Sequence, residues 1–421
     1  MHKNSATGAL RVLRPGDVIS TAAYFHEPQD FLSKLHLAAA DIPGLTLWTS
    51  NILKEYPILR EHCASLTWLS SFYEKNARAA HDSGRVTYVP SDLHMTGRMM
   101  VSSRKPTVFV AAVPPMEADG TYCISTSNQW EPECIEAAAR IILEVNPALP
   151  HTDSTVRIPA DRVTYAYASN SPLPLYPSGA FSGEEASMAG FVAELVRDGD
   201  CVQFGLGGTP DAVANALMEK RDLGIHTEML GNTMVKLIRS GAVTNRKKTL
   251  HPGKTVCAFS LGDQATLNFL NHNHDILFQP VAYVNDPGII AQNENMVSIN
   301  TAIQVDLLGQ VCSETIENRQ YSGAGGAMDF AYGATHAKNG RSIIVVRSTA
   351  KGGQASRVRA TLPPGSAVTI PRNTVDYVVT EFGVAKLRGA SVGRRVEELI
   401  AIAHPDFRED LRREARRLML W

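Results

Sequence analysis

A glycine-rich segment carries the first chemistry that the chain offers. Residues 205–211 read Gly-Leu-Gly-Gly-Thr-Pro-Asp and follow the apolar stretch 201–204, which is typical of a strand. Thr209 is a favourable helix N-cap, and Pro210 suits the first helical position. A strand, a glycine loop and a helix N-terminus direct several unpaired backbone N–H groups to one point. Such a cradle could hold a phosphate or the oxyanion of an acyl transfer, whereas the G-x-G-x-x-G spacing of dinucleotide loops is absent.

Two glutamates stand where a reactive carboxylate would be useful. In residues 223–229, Leu-Gly-Ile-His-Thr-Glu-Met, alternation places His226 and Glu228 on one face of a strand. That strand follows the glycine loop and its helix, so Glu228 is expected at the strand ends where α/β proteins bind ligands. A carboxylate there can act as a base, a ligand or a nucleophile. Glu381, in Val-Thr-Glu-Phe-Gly, is a rival by the same logic.

Two more glycine clusters lie in the second half of the chain, at residues 322–326 and 348–353. Three such loops exceed what packing needs, and Lys351 could pair with a phosphate of a ligand. The first half has Ala-Ala-Tyr-Phe-His-Glu-Pro at residues 22–28, where the second half has its first glycine loop. The anion site is therefore expected in the C-terminal half, with the N-terminal half supplying side chains.

Composition excludes several classes of protein. The 421 residues include 41 basic and 42 acidic side chains, so there is no basic excess for nucleic acid or an anionic membrane. No apolar run approaches the ~18 residues that span a bilayer, and the N-terminus does not resemble a secretory signal. None of the six cysteines forms a C-x-x-C pair, which favours a reduced, cytoplasmic protein. The one close histidine pair, His272 and His274, lacks a surrounding set of acids or cysteines, so no metal is expected.

The chain also repeats itself once. Pro-Gly-Asp at residues 15–17 is echoed by Asp-Gly-Asp at 198–200, and Glu-x-x-Gly-x-x-Cys at 117–123 by Asp-x-x-Gly-x-x-Cys at 306–312. Both pairs are offset by about 185 residues, which indicates a duplicated α/β domain. A Pro/Ser/Gly-rich stretch over 169–183 is the credible linker, and it predicts domains at residues 1–180 and 181–421.

Short apolar runs alternate with helical patterns in each half. Residues 108–113 and 342–346 are typical of buried parallel strands, and residues 187–196, 211–220 and 406–421 are typical of helices. The alternation predicts βαβ units and, in each domain, an open and mostly parallel sheet flanked by helices.

Seven segments of the second half match a known family in its own order. They lie at residues 205–213, 223–229, 299–311, 321–326, 348–351, 379–385 and 403–408. Thinner matches lie at 114–120 and 142–147. On these residues the chain resembles the acetyl-CoA hydrolase/transferase family of class I CoA-transferases, and most of all its 4-hydroxybutyrate and butyrate CoA-transferase branch.

The resemblance implies two tandem NagB/RpiA-like CoA-transferase domains with the active site between them, in a homodimer or larger homo-oligomer. It makes Glu228, in the family's G-I-H-[ST]-E-M segment, the catalytic nucleophile. It places CoA contacts on Gly205, Leu206, Gly207, Gly208, Thr209, Ile303, Gly326 and Lys351. One departure is Ala327, which stands where glutamine is common in this branch.

The implied reaction needs no permanently bound cofactor and no metal. Glu228 would attack a short-chain acyl-CoA, an anhydride and then a glutamyl-CoA thioester would form, and a carboxylic acid acceptor would reverse the steps. CoA is thus both a substrate and part of the covalent intermediate. Three alternatives stay open: an acyl-CoA hydrolase that uses the same glutamate, a CoA-ligand sensor without catalysis and, more weakly, a sugar-phosphate isomerase.

Residues 91–98 diverge from the related enzymes, which leaves the acid substrate open. Arg98 or His94 could pair with a second carboxylate, so that the acid would be a dicarboxylate such as succinate or itaconate. The alternative is that both are surface loop residues.

Overall fold

The computed structural model describes residues 4–60 and 66–420. They form two compact units. Unit 1 comprises the described residues of Met1–Tyr176 together with Cys257–Val284, and unit 2 comprises Pro177–Val256 together with Asn285 onward. The chain therefore leaves unit 1 within the predicted linker and returns to it for one later segment, which the sequence did not indicate. The division at residues 1–180 and 181–421 stays a prediction.

The helices of the described residues are, in chain order, α1 (Ala6–Leu10), α2 (Gln29–Ala39), α3 (Pro57–Arg60), α4 (Lys75–His81), α5 (Thr96–Ser103), α6 (Glu131–Ala137), α7 (Gly183–Leu195), α8 (Gly208–Ala216), α9 (Asn232–Arg239), α10 (Gln264–Leu270), α11 (Val281–Val284), α12 (Pro287–Ile290), α13 (Ala327–His336), α14 (Val392–Ala401) and α15 (Pro405–Arg417). Among these described helices, none is long and apolar enough to cross a membrane.

The strands are β1 (Val18–Thr21), β2 (Leu45–Thr49), β3 (Leu66–Ser70), β4 (Val86–Tyr88), β5 (Val108–Val113), β6 (Thr121–Cys123), β7 (Arg140–Val145), β8 (Asp153–Ser154), β9 (Arg157–Pro159), β10 (Tyr165–Ala168), β11 (Cys201–Phe204), β12 (Gly224–Leu230), β13 (Thr255–Ser260), β14 (Ile276–Phe278), β15 (Met296–Thr301), β16 (Gln304–Asp306), β17 (Val311–Cys312), β18 (Thr315–Ile316), β19 (Arg319–Gln320), β20 (Arg341–Val345), β21 (Thr349–Ala350), β22 (Ala355–Ser356), β23 (Val358–Arg359), β24 (Tyr377–Thr380) and β25 (Gly383–Lys386).

Unit 1 is built on a seven-stranded sheet in the order β10-β7-β5-β1-β2-β3-β4, and every neighbouring pair is parallel. Strand β5, in the interior of the sheet, is buried along its whole length, as its unbroken apolar run predicts. Helix α2 packs Phe31, Leu32 and Leu35 into the core beside this sheet, and all three are fully buried.

Unit 2 contributes six strands in the order β25-β24-β20-β15-β11-β12. Four neighbouring pairs are parallel, and only the edge pair of β24 and β25 is antiparallel. The prediction of open, mostly parallel sheets flanked by helices is confirmed. The strands and helices expected from the sequence are all present, with ends that differ by a few residues.

The two sheets have the same strand order, and each has its own buried Asp–Arg ion pair at the corresponding place. Both features agree with the predicted duplication. The order β10-β7-β5-β1-β2 in unit 1 corresponds to β24-β20-β15-β11-β12 in unit 2. Asp17 precedes β1 and binds Arg140 at the start of β7, and Asp200 precedes β11 and binds Arg341 at the start of β20. Each aspartate also accepts the backbone N–H of the residue three positions earlier, at 2.7 Å.

The second sequence echo forms the same turn in both units. The N–H of Gly120 donates to the carbonyl of Glu117 at 3.0 Å, and the N–H of Gly309 donates to that of Asp306 at 2.9 Å. Both glycines have a positive φ, +80° and +89°, which a residue with a side chain rarely adopts. The echo in the sequence therefore marks corresponding backbone geometry.

Candidate active site

The glycine loop connects β11 to α8, as predicted, but the helix begins earlier than expected. Gly207 is the N-cap with φ +119°, and α8 begins at Gly208. The expectation that Thr209 is the N-cap and Pro210 the first helical residue is therefore wrong. The φ of Gly207 lies in the region that favours glycine, so a turn forms there without any side-chain cap.

A carboxylate from α7 lies against this helix N-terminus. Glu185 accepts a hydrogen bond from Thr209 Oγ1 at 3.3 Å and pairs with Arg347 at 2.9 Å. A Cβ atom on Gly208 would lie only 2.6 Å from Glu185 Oε1, so any side chain at that position would have to displace the Glu185 carboxylate. Arg347 and the hydrogen bonds from Ser182 and Thr209 hold the pKa of Glu185 below its usual range although burial opposes this. The positive end of α8 therefore already has one anionic neighbour.

Glu228 lies near the carboxyl end of β12. Its strand pairs with β11 through Gly224 and Ile225, which lie four and three residues before the glutamate. The backbone of Ile225 is held by two side chains, because its N–H donates to Asn245 Oδ1 at 2.9 Å and its carbonyl accepts from Lys248 Nζ at 2.8 Å. These contacts fix the strand that presents Glu228.

Three residues from outside β12 surround the Glu228 carboxylate. Asn285 Nδ2 donates to Glu228 Oε2 at 2.9 Å and lies 3.4 Å from Asp329 Oδ2. The backbone N–H of Gly326 donates to the same carboxylate. Asn285 is fully buried and Asp329 is 2% exposed, whereas Glu228 itself is half-buried.

This environment changes the acidity of Glu228. Burial disfavours the charged form and raises its pKa to about 7, and the negative charge of Asp329 acts in the same direction. The hydrogen bonds from Asn285 and Gly326 oppose the rise because they stabilise the carboxylate. A carboxylate with such a pKa is more basic than an exposed glutamate and is still largely ionised at slightly alkaline pH.

Gly326 is required here by space and not by backbone conformation. Its φ is −94°, which any residue can adopt. A Cβ atom built on it would overlap Glu228 Oε2 and Asn285 Nδ2. Glycine therefore lets the start of α13 approach the carboxylate closely enough for its N–H to donate.

A cavity of about 610 Å³ in unit 2 is lined by two of the predicted CoA-contact residues, Ile303 and Lys351. Arg357 and Arg359 also line it, while Glu317 is the one acidic residue in its wall. The Nε atoms of both arginines are buried and find no hydrogen-bond partner among the described residues. Three cations and one anion make this wall suitable for a phosphate-bearing ligand.

The predicted site residues thus fall into three groups: the loop at residues 205–209, the Glu228–Gly326 contact, and the cavity wall with Ile303 and Lys351. Their assigned roles stay predictions. His226 is buried with its ring 6.2 Å from that of Phe330, so both His226 and Glu228 face α13, as alternation along a strand predicts.

The rival carboxylate, Glu381, is engaged in structure. It accepts hydrogen bonds from Ser348 N at 3.0 Å and from Ser348 Oγ at 2.6 Å. These bonds tie the end of β24 to the loop that follows β20. Glu381 therefore has a clear role in holding a loop.

Sequence reasoning did not identify Asn285, Asp329, Arg357 or Arg359 as site residues. Asn285 lies 57 positions from Glu228 in a segment whose only local signal is a helix start, so no spacing rule connects the two. The arginines belong to short strands after the third glycine cluster, and nothing in the sequence shows that they share a cavity with Ile303.

The remaining candidates are placed as follows. Arg98 is exposed on α5, and its charge acts on Glu133 of α6. His274 forms an ion pair with Asp153 at 2.9 Å. Within residues 4–60 and 66–420, no group of three histidine, cysteine or acidic side chains is arranged to hold a metal.

The fold and the site together define an α/β protein with a half-buried carboxylate of raised pKa near the carboxyl end of a parallel strand. Comparison with known proteins gives the family. The acetyl-CoA hydrolase/transferase N-terminal domain matches residues 40–177, and the C-terminal domain of the same family matches residues 262–415. This chain belongs to the acetyl-CoA hydrolase/transferase family.

Individual relatives agree with this assignment. A succinyl-CoA:cyclohexane-1-carboxylate CoA transferase of Geobacter metallireducens is 39% identical over 98% of this chain and 95% of its own length. A 4-hydroxybutyrate coenzyme A transferase of Clostridium kluyveri is 42% identical over 80% of this chain and 79% of its own. The crystal structure of RipA from Yersinia pestis superposes with a TM-score of 0.93 at 36% identity, covering 99% of this chain and 97% of that one. Named acetyl-CoA hydrolases are more distant, at 24–25% identity. The predicted family and the predicted enzyme class, a CoA-transferase, are confirmed.

Proposed function

We propose that this enzyme transfers CoA from a short-chain acyl-CoA to a carboxylic acid acceptor of the acetate, butyrate or 4-hydroxybutyrate type, through a covalent thioester on Glu228. One observation carries the proposal. A glutamate whose pKa is raised to about 7 receives hydrogen bonds from a buried amide and from the N–H of a glycine that leaves no room for a side chain. The relatives named as CoA-transferases support the same reading.

The chemistry follows from the ionised carboxylate. An oxygen of Glu228 attacks the thioester carbonyl of the donor, the C–S bond breaks, and an acyl-glutamyl anhydride and CoA thiolate result. The thiolate then attacks the glutamyl carbonyl, the anhydride C–O bond breaks, and the donor acid leaves as a carboxylate. The acceptor carboxylate reverses both steps, so no proton, electron or high-energy phosphate is consumed.

Each addition step creates a tetrahedral oxyanion. When the thiolate attacks Glu228, negative charge develops on an oxygen of the carboxyl group that Asn285 Nδ2 and the N–H of Gly326 already contact. Two fixed donors in a buried place suit that charge, and one such donor is typically worth about 3 kcal/mol. The backbone N–H groups of the 205–209 loop are proposed to serve the donor carbonyl in the same way.

The cationic cavity is proposed to hold the phosphates of CoA. Lys351, Arg357 and Arg359 supply the charge, and an ammonium and two guanidinium groups are suitable donors for phosphate oxygens. Ile303 would contact the apolar part of the same molecule. Binding energy from these remote groups can offset strain at the reacting carbonyl.

The finer surroundings of the reaction are also proposals. We propose a cytoplasmic homodimer or larger homo-oligomer that acts on acyl-CoA and short-chain carboxylic acids. The five cysteines in the described residues are all buried and form no disulfide with one another, which suits a reducing compartment. Light scattering on the purified enzyme measures its mass in solution directly.

The test of the proposed function mixes the enzyme with butyryl-CoA alone and measures the intact mass, followed by peptide mapping. A CoA-sized adduct on the Glu228 peptide that disappears on addition of acetate is expected. Glu228→Gln should form no adduct, while Glu381→Gln should still form one. An adduct on Glu381 would identify that residue, and not Glu228, as the nucleophile. Steady release of free thiol without an acceptor acid would identify a hydrolase. With no adduct and no turnover across a panel of acyl-CoAs, the proposal fails in favour of a ligand sensor.

A further inference from the structure

The buried amide of Asn285 bridges two carboxylates. Its Nδ2 atom lies 2.9 Å from Glu228 Oε2 and 3.4 Å from Asp329 Oδ2. An amide nitrogen carries two hydrogens, so it can donate one to each carboxylate. The opposite orientation of the amide would bring Oδ1 against both anions, so the two carboxylates also fix the orientation of Asn285.

Asp329 is unusually placed for a charged residue. It lies in the first turn of α13, three residues after Gly326, and it is 2% exposed. A helix N-terminus stabilises a negative charge, and the negative charge of Asp329 raises the pKa of Glu228. In this arrangement Asp329 repels the ionised Glu228.

We propose that Asp329 is a positioning residue for the covalent step, which holds Asn285 in its donor orientation and places a second negative charge beside Glu228. The inference rests on the proposed function. It assigns to Asp329 a role in driving acylation, in addition to any role in packing.

Formation of the thioester removes the negative charge that lies beside Asp329. Enzyme carboxylate and acyl-CoA give enzyme thioester and free carboxylate, so Glu228 changes from an anion to a neutral group while the departing acid takes the charge away. Repulsion with Asp329 is present before the step and absent after it. The second carboxylate therefore raises the free energy of the resting enzyme relative to the thioester, and it makes Glu228 a stronger nucleophile.

Few charged groups act on Glu228. Asp329 on α13 is the charged residue that shifts its acidity, while Asn285 and the backbone of Gly326 act as neutral donors. His226 on the same strand is buried beside Phe330 of α13. Asp329→Asn removes the negative charge, keeps the shape and turns one acceptor oxygen into a donor, whereas Asp329→Ser removes the charge with a smaller side chain. A change that is common to both variants therefore reports the electrostatic role.

The experiment compares the wild-type enzyme with Asp329→Asn and Asp329→Ser. Two quantities are measured: the pH profile of kcat/KM from pH 5.5 to 9, and the fraction of enzyme trapped as the Glu228 thioester at a fixed ratio of butyryl-CoA to butyrate at pH 8.5. Without the neighbouring charge the acid limb should move to lower pH, the plateau at high pH should fall about tenfold, and the thioester-to-free-enzyme ratio should fall about tenfold. The relative activity at pH 6 should therefore rise although the maximum falls.

Asp376→Asn is the matched control. Asp376 is also a buried aspartate, 3% exposed, but it accepts from Ser342 N at 3.0 Å and pairs with Arg388. The Asp376→Asn variant should be less stable than the wild type, and the acid limb of its kcat/KM pH profile should not shift. If either folded Asp329 variant keeps the wild-type acid limb and thioester ratio, or loses rate equally at every pH, Asp329 has only a structural role and the inference is overturned. If neither variant folds, the wild type decides, since a pH-independent thioester ratio between pH 6 and 8.5 excludes a charge-driven step. Failure of the proposed function is separate, because the wild type would then form no thioester.

Discussion

Gly326 and Glu228 approach each other so closely that a Cβ atom at position 326 would overlap the carboxylate oxygen Oε2. The contact joins the N-cap of α13 to the carboxyl end of β12, and the N–H of Gly326 donates into it. This relationship explains a glycine whose φ of −94° sets no conformational demand. The need for glycine comes from the neighbouring functional group.

Gly326→Ala is therefore expected to remove activity while leaving the fold intact. The methyl group must displace either the Glu228 carboxylate or the Asn285 amide, and a displacement of about 1 Å at a reacting group costs on the order of 100-fold in rate. Steady-state kcat with butyryl-CoA and acetate measures the loss, and thermal unfolding checks the fold. Gly190→Ala is the control, because no atom lies within 4 Å of a Cβ at that helical position. Full activity in Gly326→Ala would show that the carboxylate does not react from this position.

Glu228→Gln should stabilise the folded enzyme in a pH-dependent way. Folding raises the pKa of Glu228 from its ordinary value of 4.5 to about 7, so the folded state retains a proton that the unfolded state has released. Stability from this group is thus fully present below pH 4.5 and is lost as pH rises through 7. The neutral glutamine avoids the loss, so the variant should gain about 3 kcal/mol over the wild type at pH 8 and almost nothing at pH 4.5.

Urea unfolding at pH 4.5 and pH 8 measures this difference. Glu381→Gln is the comparison, since Glu381 is bound by Ser348 and its loss should destabilise the protein at pH 8. A Glu228→Gln variant that is less stable than the wild type at pH 8 would contradict the assigned environment of the carboxylate.

Charge in the 610 Å³ cavity gives a third prediction. Lys351→Ala removes one of three cations, so KM for butyryl-CoA should rise about tenfold while kcat changes little, because a phosphate contact is made equally in the ground and transition states. Butyryl-pantetheine lacks the nucleotide phosphates, and its KM should not change. The exposed Lys338, which pairs with Glu294, is the control position for lysine removal. If KM rises equally for butyryl-CoA and butyryl-pantetheine, the cavity does not bind the nucleotide phosphates of CoA.

How much of this site the sequence could predict depends on the range of each interaction. The glycine loop, the placement of His226 and Glu228 on one face, and strand β5 follow from local pattern, and the structure agrees with them. Asn285 and Asp329 reach Glu228 only because α13 and the start of α12 are folded against β12, and no local rule contains that contact.

At the start of α8, by contrast, a prediction made from local pattern was wrong. Local preference favoured Thr209 as the cap, but Gly207 takes that position, and Thr209 donates to Glu185 of α7 instead. Glycine is about as favourable as threonine at an N-cap, so local preference does not decide between the two positions. The return of residues 257–284 to unit 1 was equally hidden, because chain order alone carries no sign of it.

The duplicated ion pairs supply the last prediction, since they test whether corresponding contacts in the two units have corresponding weight. The aspartates of Asp17–Arg140 and Asp200–Arg341 each have side chains about 4% exposed, and each receives a backbone N–H as well. Asp17→Asn and Asp200→Asn each leave a buried guanidinium without its counter-charge, which typically costs about 3–5 kcal/mol. Only unit 2 carries Glu228, and Ser50 stands at the corresponding register position beyond β2 in unit 1. Both substitutions of the buried aspartates should lower the free energy of unfolding by similar amounts, as measured by urea denaturation. Asp410→Asn, which breaks the exposed pair with Arg413, should lower it by less than about 1 kcal/mol. If only one of the two substitutions lowers the free energy of unfolding, the corresponding ion pairs do not contribute equally to stability in the two units.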